Sequence, residues 1–168
     1  KSGMLFIPAA SESMTEVFSG DLISHDFWVD QCEVTNEAFL EFIVAGGYEN
    51  GEYWQHLEMV RDGETTNWRE AVSVFKDRTG EPGPANWANG TFPEGEADFP
   101  VDGVSWYEAA AYATYRGKAL PTVQHWRFFS VSSDPQMVSR FCNFSGRISK
   151  VGAYSGTGYH GEIGRAHV

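Results

Sequence analysis

The sequence predicts a loop-rich fold pinned by aromatic side chains rather than a helix bundle, and three features predict it. Aromatic residues are 15% of the 168-residue chain, with 6 Trp and 12 Phe, so wide rings are on hand to fix irregular chain. There are 18 Gly, many of them outside any helical pattern. The stretch from Thr79 to Pro100 carries Gly80, Pro82, Gly83, Pro84, Gly90, Pro93 and Gly95. A loop that long inside a compact domain is functional or held by its own aromatics, here Trp87 and Phe92. Hydrophobic residues make up 42%, and the length suits one domain with a real core.

The elements follow in order. Gly3 to Pro8 reads as an edge strand ended by proline. Phe27 to Val34 alternates loosely and reads as a second strand. Thr35 caps a helix whose apolar face is Ala38, Phe39, Phe42 and Ile43, and Gly46-Gly47 stops it. Tyr48 to Glu64 has no period and reads as loop with one short helix. Asn67-Trp68-Arg69-Glu70 has the form of a capping box and opens a helix with Trp68, Ala71, Val72 and Phe75 inward. Ser105-Trp106-Tyr107-Glu108 is a second capping box, opening a helix that runs to Arg116 and ends at Gly117. Leu120-Pro121-Thr122 turns into a third helix with Trp126, Phe128 and Phe129. Beyond Pro135 the pattern decays into Gly, Ser and Tyr. No repeat, linker or low-complexity segment interrupts the chain.

A formal net charge of −11 argues against nucleic acid and against anionic membrane surfaces, which select basic patches. It suits solubility, a cation or a basic partner, and it also fits a simply solvated acidic surface. Two cysteines, Cys32 and Cys142, are too few for a disulfide framework and match no metal spacing. Both read first as small buried hydrophobes. No apolar run approaches the roughly 18–20 residues of a transmembrane helix, and no signal peptide is visible. The chain starts at Lys1 rather than Met, which leaves the compartment open.

Three blocks then stand in order. They are Glu33-Val34-Thr35-Asn36 with Phe39, the run Phe99 to Ala109, and Gly117-Lys118-Ala119-Leu120-Pro121-Thr122 with Trp126. Together they resemble the signatures of the formylglycine-generating enzyme, or sulfatase-modifying factor, family. Ala45 to Asn50 with Tyr53-Trp54, Asp77 to Pro84 and Pro93 to Asp98 are similar to a bacterial subgroup often fused to a serine/threonine protein kinase. The resemblance implies an α+β fold, the formylglycine-generating-enzyme fold related to C-type lectins, with little regular secondary structure. It also implies a single domain over 1–168 that is incomplete at its C-terminal end. Val151 to Tyr154 and Gly158 to Gly161 resemble the run before the family's tryptophan-rich block, and the chain then stops. A truncated product and a naturally short domain are both open. An open half-domain exposes apolar area, so a homo-oligomer is expected.

The family enzyme oxidises a substrate cysteine with copper held by two cysteines, and relatives use iron held by histidines. Cys32 and Cys142 do not fall at the copper positions, so copper and iron are not expected. His25, His56, His125, His160 and His167 show no paired spacing. His125 stands where an acidic residue is usual in the helix opened by Thr122, which breaks a capping box. Asn143 and the Phe144 carbonyl match the family's calcium site, but a site short of ligands binds weakly, so Asn143 reads first as a turn cap. Trp54, Trp68, Trp87 and Trp106 are candidates for a ligand groove, with Trp54 and Trp87 foremost and Trp87 expected to be the most exposed. Core packing is the competing role for these rings. Asn89-Gly90-Thr91 and Asn143-Phe144-Ser145 fit the glycosylation sequon, which a bacterial source discounts. Ser105 and Thr122 read as caps rather than nucleophiles. The expected function is a non-catalytic module binding a ligand or protein. A metal-dependent oxidase or oxygenase acting on thiols is the alternative, and a fragment without function of its own is the third reading.

Overall fold

The structure is a computed structural model and describes residues 3–9, 25–61, 63–130 and 147–153. The chain packs as two compact units, one of Val34–Leu120 and one of Lys1–Glu33 with Pro121–Val168. Helices and small sheets are few and joined by long irregular chain, an α+β architecture.

In the second of these units, β1 (Met4–Ile7) pairs antiparallel with β2 (Phe27–Asp30), Leu5 opposite Val29. Ile7 is fully buried, while Phe6 and Trp28 meet across the other face with centroids 5.3 Å apart. The sequence predicts β2 running on to Val34, but it ends at Asp30. Beyond it the chain finds other partners: the Val34 carbonyl accepts from Val101 N at 2.9 Å, and Thr35 bridges Pro100. Helix α4 (Val123–Ser130) belongs to the same unit as β1 and β2.

The Val34–Leu120 unit holds α1 (Asn36–Val44), a 3-10 turn (Gly51–Tyr53), the two-residue strands β3 (Val60–Arg61) and β4 (Glu64–Thr65), α2 (Trp68–Val72) and α3 (Trp106–Tyr115). Thr35 caps α1, its hydroxyl accepting from Ala38 N at 3.1 Å. At the other end Gly46 N donates to Ile43 O and Gly47 N to Phe42 O, both at 2.9 Å, the paired bonds of a Schellman stop. Gly46 takes φ of 79°, a region glycine enters without the steric cost of a Cβ. Helix α3 ends in the same way, through Gly117 to Thr114 and Lys118 to Ala113. The β3–β4 hairpin, antiparallel with Val60 opposite Thr65, is absent from the sequence reading. Two residues per strand carry no alternation to detect.

Aromatic rings dominate the core of this unit, with Met59, Val72 and small alanines filling between them. Phe39 and Phe42 of α1 face Tyr112 of α3, Phe39 stacked at 5.4 Å and Phe42 edge-on at 5.8 Å. Phe42 also meets Tyr48, Tyr53 and Tyr115. Such pairs add about 0.5–1.5 kcal/mol each beyond the area they bury. Small alanines at 110, 111 and 113 on α3 let the rings close on the helix. Gly47 is required by this packing, since a Cβ there would lie 2.4 Å from Phe42 Cε2.

Candidate functional site

Two polar centres organise the loops of the Val34–Leu120 unit. The first is Asp77, buried at the head of the glycine- and proline-rich loop. Its Oδ1 accepts from Thr79 N (2.8 Å), Thr79 Oγ1 (2.8 Å) and Glu81 N (3.1 Å), and its Oδ2 from Gly90 N (2.8 Å). Burial pushes this carboxyl up, but these four bonds outweigh it and hold it down at about 2. The Gly90 bond ties in a hairpin closed by Ala88 and Thr91, whose turn residues Asn89 and Gly90 have φ of 55° and 71°. One ionised carboxylate thus holds the irregular chain from 77 to 90 in place.

The second centre joins the start of α3 to the chain after α1. Ser105 and Glu108 form the capping box expected: Glu108 N donates to Ser105 Oγ at 3.2 Å and Ser105 N to Glu108 Oε2 at 2.7 Å. The other oxygen, Oε1, accepts from Tyr48 OH at 2.5 Å. Glu108 is only 3% exposed. Burial raises its carboxyl pKa, and the bonds from Tyr48 and Ser105 work against that rise. Tyr48 is pushed far up by burial and by the Glu108 charge, so it stays a donor. Asn36, equally buried, ties the third segment: its amide donates to Glu96 O at 2.8 Å and its N to Phe99 O at 2.8 Å.

Neither aromatic groove candidate opens to a ligand. Trp54 is 0% and Trp87 1% exposed, so the expectation that they line a groove, and that Trp87 is the most exposed ring, is corrected. The loop folds back through Arg78 N to Trp87 O and Trp87 N to Pro84 O. This sets the Trp87 ring edge-on to Phe39 at 6.3 Å and to Phe92 at 5.4 Å. Trp54 stacks on Phe75 and donates Nε1–H to Gly47 O at 2.7 Å, a partner that offsets the cost of burying the indole N–H. Trp68 is half-buried beneath the Arg69 guanidinium. Trp106, on the first turn of α3, is the exposed ring, at 62%.

The capping box expected at Asn67 forms by half. Asn67 Oδ1 accepts from Arg69 N at 2.9 Å, but Glu70 meets Thr66 Oγ1 instead of returning to the cap. The box expected to be broken at Thr122 is kept. His125 N lies 3.2 Å from Thr122 Oγ1, and the imidazole Nδ1, standing in for a carboxylate, lies 3.3 Å from Thr122 N and 2.7 Å from its hydroxyl. His125 also sits 6.0 Å from His25, a pairing no spacing announces. His56 lies 3.3 Å from Thr114 Oγ1. Cys32 is a free, half-buried thiol whose pKa is raised by burial and by Glu33 and Asp30. Among the described residues no group of three or more His, Cys, Asp or Glu is placed to hold a metal ion. Asn143 and Phe144, with Cys142, His160 and His167, lie outside the described residues. Among the described residues, no helix is long and apolar enough to cross a membrane.

Comparison with known proteins agrees with the three signature blocks. The model of the sulfatase-modifying factor enzyme 1-like domain matches residues 2–137. The serine/threonine-protein kinase pkn1 of Chlamydia caviae is 30% identical over 117 residues, 70% of this chain and 16% of the kinase. The formylglycine-generating enzyme of Bos taurus is 31% identical over 61% of this chain and 29% of that enzyme. The hercynine oxygenase of Mycobacterium tuberculosis is 32% identical over 60% and 22%, respectively. The chain therefore spans a minor part of each relative.

Proposed function

The chain belongs to the sulfatase-modifying factor enzyme 1-like family, and from that premise we propose that it is a non-catalytic module of that family which recognises a protein or small ligand through its loops. One observation carries the reading. The buried ionisable groups of the Val34–Leu120 unit are engaged in holding loops: Asp77 takes four donors from its own loop, and Glu108 takes Tyr48 and the start of α3. Carboxylates whose oxygens are taken up by donors of their own loops are placed for anchoring the chain, which supports a structural rather than an acid–base role for them. What remains outward is shaped loop, the arrangement in which rigid scaffolds carry recognition. The likeness to pkn1 fits a module working beside a kinase.

The likeness to a formylglycine-generating enzyme and a hercynine oxygenase favours a second reading, a metal-dependent oxidase or oxygenase acting on thiols. A turnover assay separates the two. The purified chain is incubated with copper, and separately with ferrous iron, under oxygen with cysteine-containing peptides, while peptide mass and oxygen uptake are followed. The module reading expects neither product nor uptake above the metal-only control. Turnover lost on removal of the chain would establish the enzyme reading instead.

A further inference from the structure

We propose that His25 and His125 form an exchangeable site for a late first-row divalent cation, with Zn2+ as its probe. This goes beyond the recognition role and does not depend on it. The two rings come from distant parts of the chain, His25 just ahead of β2 and His125 in the first turn of α4, yet their centroids are 6.0 Å apart at 68°. Two imidazoles sharing one ion through Zn–N bonds of about 2.0–2.1 Å place their centroids at roughly 5–6 Å. His25 is exposed and His125 half-buried, so water reaches the pair and can complete the coordination shell. The His125 ring is oriented on two sides. Phe27 meets it edge-on at 4.7 Å, and Thr122 Oγ1 lies 2.7 Å from Nδ1. In the free chain Nδ1 accepts from the Thr122 amide at 3.3 Å. On metal binding the ring proton passes from Nε2 to Nδ1, which then donates to the Thr122 hydroxyl, and Nε2 gives its lone pair to the metal, the outer contact that metal-binding histidines use. Asp26, next to His25 and fixed by the Ala9 amide at 2.8 Å, brings a carboxylate that favours a cation. The donor chemistry selects Zn2+, Ni2+ or Cu2+, and refuses Ca2+ and Mg2+, which want oxygen ligands. An ion there ties the start of β2 to the start of α4.

The test is a calorimetric titration of the metal-stripped full chain with ZnCl2, accompanied by NMR of the histidine rings. Three variants are compared: His25→Ala, His125→Gln and His56→Ala. In His125→Gln the new side-chain carbonyl can still accept the Thr122 amide, so the start of α4 keeps its cap. The expected result is one Zn2+ per chain at this pair, weakened at least about 10-fold in His25→Ala and in His125→Gln and unchanged in His56→Ala. The bound form should show His125 as the Nδ1–H tautomer, and Ca2+ should give no effect. Zinc binding that persists unchanged in either His25→Ala or His125→Gln overturns the proposal, as does the absence of zinc binding to the unaltered chain.

Discussion

Replacing Tyr48 by Phe removes one oxygen atom and tests the polar centre at the start of α3. The Tyr48 hydroxyl donates to Glu108 Oε1 at 2.5 Å, inside a region where Glu108 is 3% exposed. A hydrogen bond to a charged group contributes about 1.5–3 kcal/mol net. The variant also leaves a buried carboxylate oxygen without its donor, and Glu108 can limit that cost by taking up a proton. We expect a loss of about 2 kcal/mol at pH 7. For urea slopes of about 1–3 kcal/mol/M this moves the midpoint by roughly 0.7–2 M. The sign with pH follows from the raised Glu108 pKa. The folded state holds this proton more tightly than the unfolded state. Between the ordinary carboxylate value and the raised one, stability therefore falls as pH rises. The Tyr48→Phe deficit should accordingly shrink at about pH 4, where Glu108 is protonated and only a neutral hydrogen bond is lost. The assay is urea unfolding at both pH values, followed by the fluorescence of the buried Trp54 and Trp87. A deficit below about 0.5 kcal/mol at pH 7, or one no smaller at the acid pH, would refute the reasoning.

Three further outcomes are expected. Gly47→Ala puts a Cβ 2.4 Å from the Phe42 ring, which is itself fully buried and cannot swing away. A loss of at least about 2 kcal/mol should appear as a lowered melting temperature. Asp77 is held at about 2, so its contribution is complete above the ordinary value of 3.8 and is lost as pH falls through about 2. In acid titrations of stability, Asp77→Asn should start lower and lose this acid limb. His125→Glu restores a carboxylate to the first turn of α4 and should raise stability by about 0.3–1 kcal/mol at pH 7, read by thermal unfolding.

The helix boundaries were legible because their causes are local. Thr35 and Ser105 reach a backbone amide three residues ahead, and Gly46 and Gly117 stop their helices within two residues of the last turn. The same locality explains a misreading. At Thr122 a residue-type rule asks for an acid at the third position, whereas the geometry asks only for an acceptor, and the His125 imidazole supplies one. The Asp77 centre was missed: Asp77 to Pro84 stood in the sequence only as a family-like block, and although an Asp two residues ahead of a Thr can fold over its own backbone, nothing in the spacing points to Gly90.

The sequence by itself determined where the helices begin and where α1 and α3 end, though not that α2 stops at Val72 short of Phe75. It also determined that aromatic rings would hold the long loops and which family the three ordered blocks belong to. Each of these is written in residues a few positions apart. The tertiary structure decided which rings are buried and which groups meet. It sealed Trp87 against Phe39 while leaving Trp106 out. It brought Tyr48 to Glu108 in one unit and His25 to His125 in the other, each pair far apart along the chain. Such meetings depend on how the chain closes on its core. No local pattern carries them, because a side chain's partner at long range is fixed by packing rather than by spacing.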